Sequence, residues 1–398
     1  HLMDMLTAGL SDSADGIAPG TQQKQVGCFA RWRRFLAGVG VNNEFLDGWT
    51  IVTKICILCA FAASVRRNLY GKRKKEQLGG GTVSSTIANI CSAFRQNFRR
   101  DPSLDETRKK ALLLQRQLKK YIAKDPETKH QMALSLVVFL LIWRTQPQGR
   151  MKATAQLIVA ALFFGLRSCK YSEVTGKRMT KKLTIGDVRF FQGTREVPKT
   201  ARYINLLQYS TSVTITFVLQ KNGQKYATIT QHASGHEVCP VKAWAAIVTR
   251  ILNYKGTDLS IEVDMVVDSD NRRSHIKAEE IARHLKKVVT SVGKARLGFD
   301  KTRVGTHSIR TSFTMMLYLQ HIHPLTIMLM GRWSSDAFLL YIRPQVQQFS
   351  SGLSAKMVEN DFFTVPTVDN GPATRNGEHS SQVARTHKQY KARFSAEN

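Results

Sequence analysis

The sequence predicts a mainly α-helical protein with a small antiparallel β-sheet. Segments with apolar residues at helical spacing fill most of the 398-residue chain. One stretch instead alternates Val213, Ile215 and Phe217 with threonines, and Asn222-Gly223 then supplies the residues that a tight hairpin turn favours. A single hairpin among many helices predicts an α+β domain joined to an all-helical one.

The all-helical domain is expected over residues 25–124. Four segments with helical periodicity follow one another there, and basic residues recur at their ends and on their polar faces. Three glycines at 79–81 interrupt the pattern in the middle. Residues 1–24 are small and polar, so they are predicted to be disordered.

The α+β domain is expected over residues 125–348. Two apolar helices, QMALSLVVFLLIWRT and TAQLIVAALFFGLRSCKYSEV, precede the strand-like segment RMTKKLTIGDVRFF and the hairpin. Four further helices are predicted at CPVKAWAAIVTRIL, AEEIARHLKKVVTSV, HSIRTSFTMMLYLQ and PLTIMLMGRW. The composition loosens after these, and residues 349–398 are predicted to be a mobile tail.

The charge of the chain predicts a polyanionic partner. Lys and Arg number 59 against 29 Asp and Glu, a formal charge of +30. Six Lys/Arg and five Asp/Glu follow residue 344, so about +29 belongs to residues 1–344. A folded body this basic repels itself unless it meets DNA or RNA. No apolar run approaches membrane-spanning length, so no membrane partner is expected.

Six dispersed cysteines predict a reducing compartment without disulfides. Cys56 and Cys59 form a CxxC within an apolar run, which favours two buried helix cysteines over a zinc site. The basic segment at 71–77 is either a nuclear localisation signal or a solvated turn, and a nuclear location is expected.

An arginine that follows a buried helix is the first candidate for a functional site. Arg167 comes directly after the apolar run from Leu157 to Leu166. A guanidinium in that position is costly unless an anion or a hydrogen-bond partner receives it. The alternative is a structural ion pair with Glu173.

A second candidate pair lies at the start of a predicted helix that Thr306 could cap. His307 and Arg310 are neighbours in its first turn, where the helix dipole favours an anion. Together with Thr311 and Thr314 they make one polar stripe on the helical wheel, opposite an apolar one.

Three more side chains complete the candidate set. Lys221 sits beside the hairpin turn, where a flexible ammonium can reach a site, and Lys225 across the turn is an alternative. The alternative for each is an ordinary solvent-exposed lysine of the turn. Trp333 and Tyr341 lie in GRWSSDAFLLYIRP, where Tyr341 alone reads equally well as a core tyrosine.

The order Arg, hairpin Lys, His-x-x-Arg, Trp, Tyr resembles that of the tyrosine recombinases, also called phage-integrase-type recombinases. The segments ALFFGLRSCKYSEV, ITFVLQKN, CPVKAWA, GTHSIRTSF and MGRWSSDAFLLYIRP look closest to recombinases of Crypton-type eukaryotic mobile elements, with DIRS-like recombinases next. The resemblance implies a tyrosine recombinase catalytic domain over 125–348 and a helical core-binding domain over 25–124.

The resemblance also implies a site and a reaction. Tyr341 would be the nucleophile on DNA, and Arg167 and Arg310 would hold the phosphate. His307 would accept or share the tyrosine proton, Lys221 would protonate the leaving oxygen, and Trp333 would support the site. Neither a cofactor nor a metal is implied, and four protomers would assemble on two duplex sites, exchanging a segment from roughly 345–365.

Two positions depart from the family pattern. The superfamily usually has an acidic residue three positions after its first arginine, and here that residue is Lys170. The interval from Trp333 to Tyr341 is also one residue shorter than in most bacterial relatives.

Three other functions compete with this interpretation. A metal-dependent transposase or nuclease would need carboxylates such as Asp264, Asp268 and Asp270, which read better as solvated loop residues. A type IB topoisomerase would use similar tyrosine chemistry without joining two sites. A DNA-binding protein that has lost catalysis is the third, and Lys170 is the hint for it.

Overall fold

A computed structural model describes residues 19–70, 77–127, 130–145, 148–175, 180–220, 225–333 and 338–342, together with positions 3, 5, 16, 17 and 335. These residues are mainly helical and include one four-stranded and one two-stranded antiparallel sheet. The predicted fold class is therefore confirmed. None of the helices in these ranges is long and apolar enough to cross a membrane.

Four helices form the first part of the chain: α1 (Pro19–Gly38), α2 (Ile51–Arg66), α3 (Gly80–Gln96) and α4 (Leu112–Ala123). Helix α1 begins inside the segment that was expected to be disordered. Helix α4 begins at Leu112, although the helical pattern DETRKKALLLQRQLKKYI predicts a start at Asp105. The reason is a turn in which the carboxylate of Asp105 accepts hydrogen bonds from the N–H groups of Thr107 and Lys109, at 2.9 Å and 3.1 Å.

Aromatic side chains form the centre of this helical part. Trp32 is fully buried, and the rings of Phe61 and Phe94 meet it edge-on, with centroids at 5.0 Å and 6.3 Å. The carboxylate of Asp125 pairs with Arg66 and accepts the N–H of Gly80 at 2.5 Å. These contacts fix the end of α4 against the helices before it.

The second part contains the remaining elements. Its helices are α5 (Leu136–Arg144), α6 (Arg150–Phe163), α7 (Pro240–Leu252), α8 (Ala278–Val292), α9 (Lys294–Leu297), α10 (Thr306–Leu319), α11 (Pro324–Gly331) and α12 (Leu339–Ile342). Its strands are β1 (Val188–Gln192), β2 (Arg195–Val197), β3 (Ser212–Leu219), β4 (Lys225–His232), β5 (Met265–Val267) and β6 (Arg273–His275). The helices predicted over α7, α8, α10 and α11 are all present.

The larger sheet has the order β2-β1-β3-β4, and β5 pairs with β6. The predicted hairpin is β3–β4, with a register running from Ser212 opposite His232 to Leu219 opposite Lys225. Its turn, with Asn222 and Gly223, lies outside the described residues. The three apolar residues of β3 are fully buried, which is why the alternation was readable in the sequence.

Helix α6 ends before the candidate arginine instead of running through it. The helix stops at Phe163, and Gly165 adopts a φ of +50°, with its Cα against the ring of Phe313. A Cβ on Gly165 would lie 2.6 Å from that ring, so the tight turn and the close contact both require glycine. Arg167 therefore begins a short 3₁₀ turn, Ser168–Lys170, beside α10.

Buried apolar side chains form two clusters, one between residues 32 and 118 and one between residues 134 and 313. Trp244 lies in the second cluster, edge-on to Phe164 at 6.1 Å. The domain boundaries near 24, 124 and 348 stay predictions. The tail over 349–398 and most of the basic segment at 71–77 lie outside the described residues.

Candidate active site

The first turn of α10 is held by the chain segment that precedes α5. Helix α10 begins at Thr306 with Gly305 as its N-cap, so Thr306 is the first helical residue and does not cap the helix as predicted. The side-chain oxygen of Gln131 accepts the N–H of Ser308 at 3.2 Å, and the Ser308 hydroxyl accepts the N–H of Gly305 at 3.3 Å. These bonds fix the turn that carries His307.

Three of the four residues in the polar stripe of α10 are buried, and His307 at its start is exposed. Thr311 and Thr314 are buried, and their hydroxyls donate to the carbonyls of His307 and Arg310, each at 3.0 Å. The hydroxyls of both threonines thus find their hydrogen-bond acceptors within α10. Arg310 is the charged residue in the buried part of the stripe.

Arg310 is 0% exposed and held from three sides. Its Nη1 donates to the carbonyl of Gly165, and its Nη2 donates to the carbonyl of Gly331 at 2.6 Å. The indole of Trp333 covers the guanidinium, with Cζ at 3.9 Å from the ring centroid. The fork of Arg310 is therefore fixed in orientation.

Arg167 is partly exposed and lies in the same electrostatic neighbourhood. Within the described ranges its side chain makes no hydrogen bond or ion pair, so the alternative of a structural pair with Glu173 is wrong there. Its charge nevertheless lowers the pKa values of His307 and Arg332, which places it near both. Arg167 is thus a guanidinium available to a bound anion.

His307 is solvent-exposed, but the surrounding protein still removes part of the water around its imidazole. This desolvation lowers the pKa of His307 below its ordinary 6.5, and the charges of Arg310 and then Arg167 lower it further. The imidazole is consequently neutral at pH 7 and able to accept a proton.

Lys170, the departure from the family pattern, is buried at 6% exposure. Its ammonium donates to the carbonyl of Lys181 at 2.8 Å and to the carbonyl of Leu219. Burial lowers its pKa to about 8, with contributions from the charges of Arg332 and Arg167. Lys170 therefore ties the turn after Arg167 to the end of β3.

The candidate lysines of the hairpin lie at this same end of β3. Lys221 falls outside the described residues. Lys225 opens β4, pairs with Leu219 and is exposed. The choice between Lys221 and Lys225 as proton donor stays a prediction.

Arg332 belongs to the cluster, and the sequence reasoning missed it. It is 8% exposed, and its guanidinium lies over the ring of Phe217, with Cζ at 4.0 Å from the centroid. Burial, then the like charges of Arg310 and Arg167, lower its pKa to about 9, so it remains protonated at pH 7. The available signal was an arginine directly after an apolar helix, the same signal that selected Arg167.

The Gly-Arg-Trp sequence has a steric explanation. Arg332 adopts the left-handed conformation, with φ 56° and ψ 49°, and this turns the chain back so that Trp333 packs onto Gly331. A Cβ on Gly331 would lie 1.5 Å from the Trp333 ring, so the residue before the turn must be glycine.

Tyr341 is placed by the short helix α12, which packs against α10. Phe338 and Ile342 on either side of it are buried, and the Phe338 ring lies 6.2 Å from that of Trp333. The helix that carries the candidate nucleophile is thus anchored next to the helix that carries His307 and Arg310.

The carboxylates considered for metal binding are arranged differently from the prediction. Asp264 is fully buried, not solvated, and it shares the ammonium of Lys182 with Glu262, at 2.9 Å and 2.7 Å. His275 Nδ1 lies 3.1 Å from Asp264, completing a group of three potential ligands around a lysine. Asp268 and Asp270 are exposed, as expected.

The arrangement favours binding of an anion. Among the described residues, Arg167, Lys170 and Arg332 form no salt bridge with a carboxylate. Arg310 lies close to these residues, and the neutral imidazole of His307 lies on the solvent-exposed side of the group. Such a concentration of positive charge is suited to a phosphate group.

Comparisons with known proteins find similar folds only among solved structures. No protein-family model matches the chain, and no curated protein matches its sequence. The Tn1549 transposon integrase in complex with transposon right-end DNA is similar at 14% identity and a TM-score of 0.43, over 77% of this chain and 85% of that one.

Two recombinases show a comparable likeness. The XerH site-specific recombinase bound to palindromic difH substrate is similar at 13% identity and a TM-score of 0.47, over 83% of this chain and 77% of that one. The XerA recombinase is similar at 12% identity and a TM-score of 0.33, over 81% and 98%. Identities and TM-scores this low show a likeness of fold and carry no function to this chain.

Proposed function

We propose that this chain is a tyrosine recombinase that cuts and rejoins duplex DNA through a covalent link to Tyr341. The observation that carries the proposal is the grouping of Arg167, Arg310 and His307 beside α12, the helix of Tyr341. This grouping brings two guanidiniums and a neutral imidazole, from two separate parts of the chain, next to the helix that carries Tyr341.

The two guanidiniums suit the charge that develops on a phosphodiester under attack. Each guanidinium can give two parallel hydrogen bonds to non-bridging oxygens, and arginine keeps its proton throughout. Arg310 has a fixed orientation under Trp333, and Arg167 has no partner among the described residues. Arg167 is therefore the group whose charge is left for the substrate.

The proton transfers follow from the neighbours of the phosphate. The Tyr341 oxygen forms a bond to phosphorus while the bond to the 5′ oxygen breaks, and its proton passes to neutral His307. The 5′ oxygen receives a proton from Lys221, or alternatively from Lys225. The phosphotyrosyl link keeps the energy of the phosphodiester, so a 5′-hydroxyl of another strand can reverse the step without ATP.

The test is covalent capture of nicked suicide duplexes of random sequence. Tyr341→Phe should abolish the adduct and leave duplex affinity nearly unchanged. Tyr209→Phe is the matched control, because Tyr209 is an exposed tyrosine away from the site, and it should capture DNA like the unaltered protein. Equal capture by Tyr341→Phe would refute the assignment of the nucleophile.

The competing functions separate in the same assay. Capture that persists in excess EDTA would exclude the metal-dependent alternative. Strand exchange between two marked DNA sites would exclude a topoisomerase. A protein that binds DNA with strong salt dependence and never forms an adduct would be the catalytically lost DNA-binding protein.

The wider context of the proposal is a mobile element of the Crypton type, acting in the nucleus as a homotetramer on two DNA sites. Sequencing the captured DNA tests for a defined target. Crosslinking of protein–DNA complexes tests for tetramers, and imaging of tagged protein tests the nuclear location. Footprinting tests whether both 25–124 and 125–348 contact the duplex.

A further inference from the structure

Two arginines make parallel bridges between the ends of α6 and α11. Arg310 donates to the carbonyls of Gly165 and Gly331, the second at 2.6 Å. Arg332 donates to the carbonyls one residue earlier on each side, Phe164 at 3.1 Å and Met330 at 3.4 Å. The ends of α6 and α11 thus each offer two consecutive carbonyls, and each arginine binds one carbonyl from each helix.

This geometry explains how like charges can lie together inside the protein. The last carbonyls of a helix have no partner within the helix and carry the negative end of its dipole. Two helix ends therefore offset part of the repulsion between Arg310 and Arg332, and the Phe217 ring covers the second guanidinium. A lysine has one ammonium and no fork, so it cannot bridge both ends in the same way.

The bridge made by Arg332 also determines where Arg167 lies. Phe164, which accepts its hydrogen bond, is three residues before Arg167, and the chain between them is pinned at Gly165. Arg332 itself has its donors directed at carbonyls and only 8% of its surface exposed. It is therefore placed to orient its neighbours and not to touch the phosphate. Arg310 is buried and bonded to carbonyls in the same way, so Arg167 is the partly exposed guanidinium of the three and the one placed for direct contact.

We propose that Arg332 is a positioning residue that, together with Arg310, holds Arg167 where it can bind one phosphate. This inference rests on the proposed function, since it assigns the same site. It adds an arginine that acts through Arg167, and it gives the arginine of Gly-Arg-Trp a role separate from that of the tryptophan.

The test compares Arg332→Met and Arg332→Lys with the unaltered protein. At saturating suicide duplex, Arg332→Met should lower the single-turnover rate of capture by about 100-fold, the loss expected for a displacement of roughly 1 Å at a reacting centre. Arg332→Lys should recover part of that loss. Duplex affinity should change by less than about threefold, because DNA binding is distributed over many phosphate contacts.

A second readout does not depend on activity. Inorganic phosphate should raise the melting temperature of the protein more than chloride does at equal ionic strength, because Arg167 binds it and the nearby charges of Arg310 and Arg332 favour an anion there. Arg332→Met and Arg167→Met should both lose this increment. If Arg332→Met fails to fold, Arg332→Lys, which keeps the charge, is the variant to measure.

Arg250→Met is the matched control. Arg250 is a half-buried arginine that also donates to carbonyls, those of Met265 at 2.6 Å and Val263 at 3.4 Å, but it lies in α7 outside the cluster. It should lower the melting temperature yet keep the phosphate increment and the capture rate of the folded protein. Loss of both in Arg250→Met would show a general structural effect and overturn the positioning role.

The outcomes separate the two proposals. Unchanged capture and phosphate increment in Arg332→Met would overturn the positioning role and leave the proposed function intact. A protein that never captures DNA but shows an Arg332-dependent phosphate increment would lose the recombinase assignment and keep the positioning role. A protein with neither property would overturn both.

Discussion

At the scale of single residues, His307 makes the pH dependence of the reaction predictable. Its pKa lies below 6.5, so the neutral form that accepts a proton persists to lower pH than for an ordinary histidine. The acid limb of kcat/KM for DNA capture, which reports the free protein, should therefore have its midpoint below pH 6.5. His307→Gln should remove that limb while Tyr209→Phe keeps it. A limb centred above pH 7 would contradict the assignment of His307.

The lowered pKa of His307 also makes the free energy of unfolding decrease as the pH falls. A histidine whose pKa is lower in the folded state binds fewer protons there than in the unfolded chain. Its contribution to the free energy of unfolding is complete above pH 6.5 and is lost as pH falls through the lower folded pKa. Urea unfolding at pH 7.5 and pH 5 should show a smaller loss for His307→Gln than for the unaltered protein.

Lys170 should not tolerate the acidic residue that is usual at this position in the family it resembles. Lys170→Glu would place a carboxylate against the carbonyls of Lys181 and Leu219 in a buried site. We expect it to lower the free energy of unfolding by about 3 kcal/mol or more, the effect of an unpaired buried charge. Lys152→Glu, an exposed change on α6, should stay within about 0.5 kcal/mol. Urea unfolding measures both, and equal stability of the two variants would contradict the described burial of Lys170.

At the scale of elements, the turn after α11 should be sensitive to a single methyl group. Gly331→Ala would bring a Cβ to 1.5 Å from the Trp333 ring, which must then move off Arg310. The melting temperature and the capture rate should both fall. Gly81→Ala is the matched control, because its Cβ meets nothing within 4 Å and alanine is the better helix former, so it should stabilise the protein. A Gly331→Ala protein as active as the Gly81→Ala protein would show that the stacking is dispensable.

The elements that the sequence predicted well are those with a local cause. The β3–β4 hairpin follows from alternating Val213, Ile215 and Phe217, and α8 follows from a strong amphipathic pattern. The errors have tertiary or side-chain causes. Helix α6 stops at Phe163 because Phe313, distant in sequence, packs onto Gly165, and α4 starts late because Asp105 organises its own turn.

The site was predicted to a similar extent. The order of Arg167, His307, Arg310, Trp333 and Tyr341 could be read from the sequence, since each stands at the border of an apolar element. The bridges between helix ends could not, because their acceptors are backbone carbonyls. No side-chain pattern encodes a backbone acceptor, so Arg332 and the buried surroundings of Lys170 were visible only in three dimensions.

At the scale of the whole molecule, the formal charge of +30 predicts steep salt dependence of DNA binding. If 6–10 phosphates are contacted, affinity should fall by roughly 10³–10⁵ between 50 and 200 mM salt. Arg167→Met should reduce the slope of log affinity against log salt by about 1, the share of one phosphate contact. Arg250→Met should leave the slope unchanged. A slope that Arg167→Met does not alter would place Arg167 away from the DNA backbone.

The helix-end bridges have a consequence for how this protein can vary. The atoms that receive Arg310 and Arg332 belong to the main chain, so exchanging the side chains of Phe164 or Met330 does not delete an acceptor. Inserting or removing one residue beside either helix end does shift the acceptors by a whole position. Apolar replacements at Phe164 and Met330 that keep the packing of Phe164 on Trp244 should therefore preserve both bridges, whereas changes of length should break them.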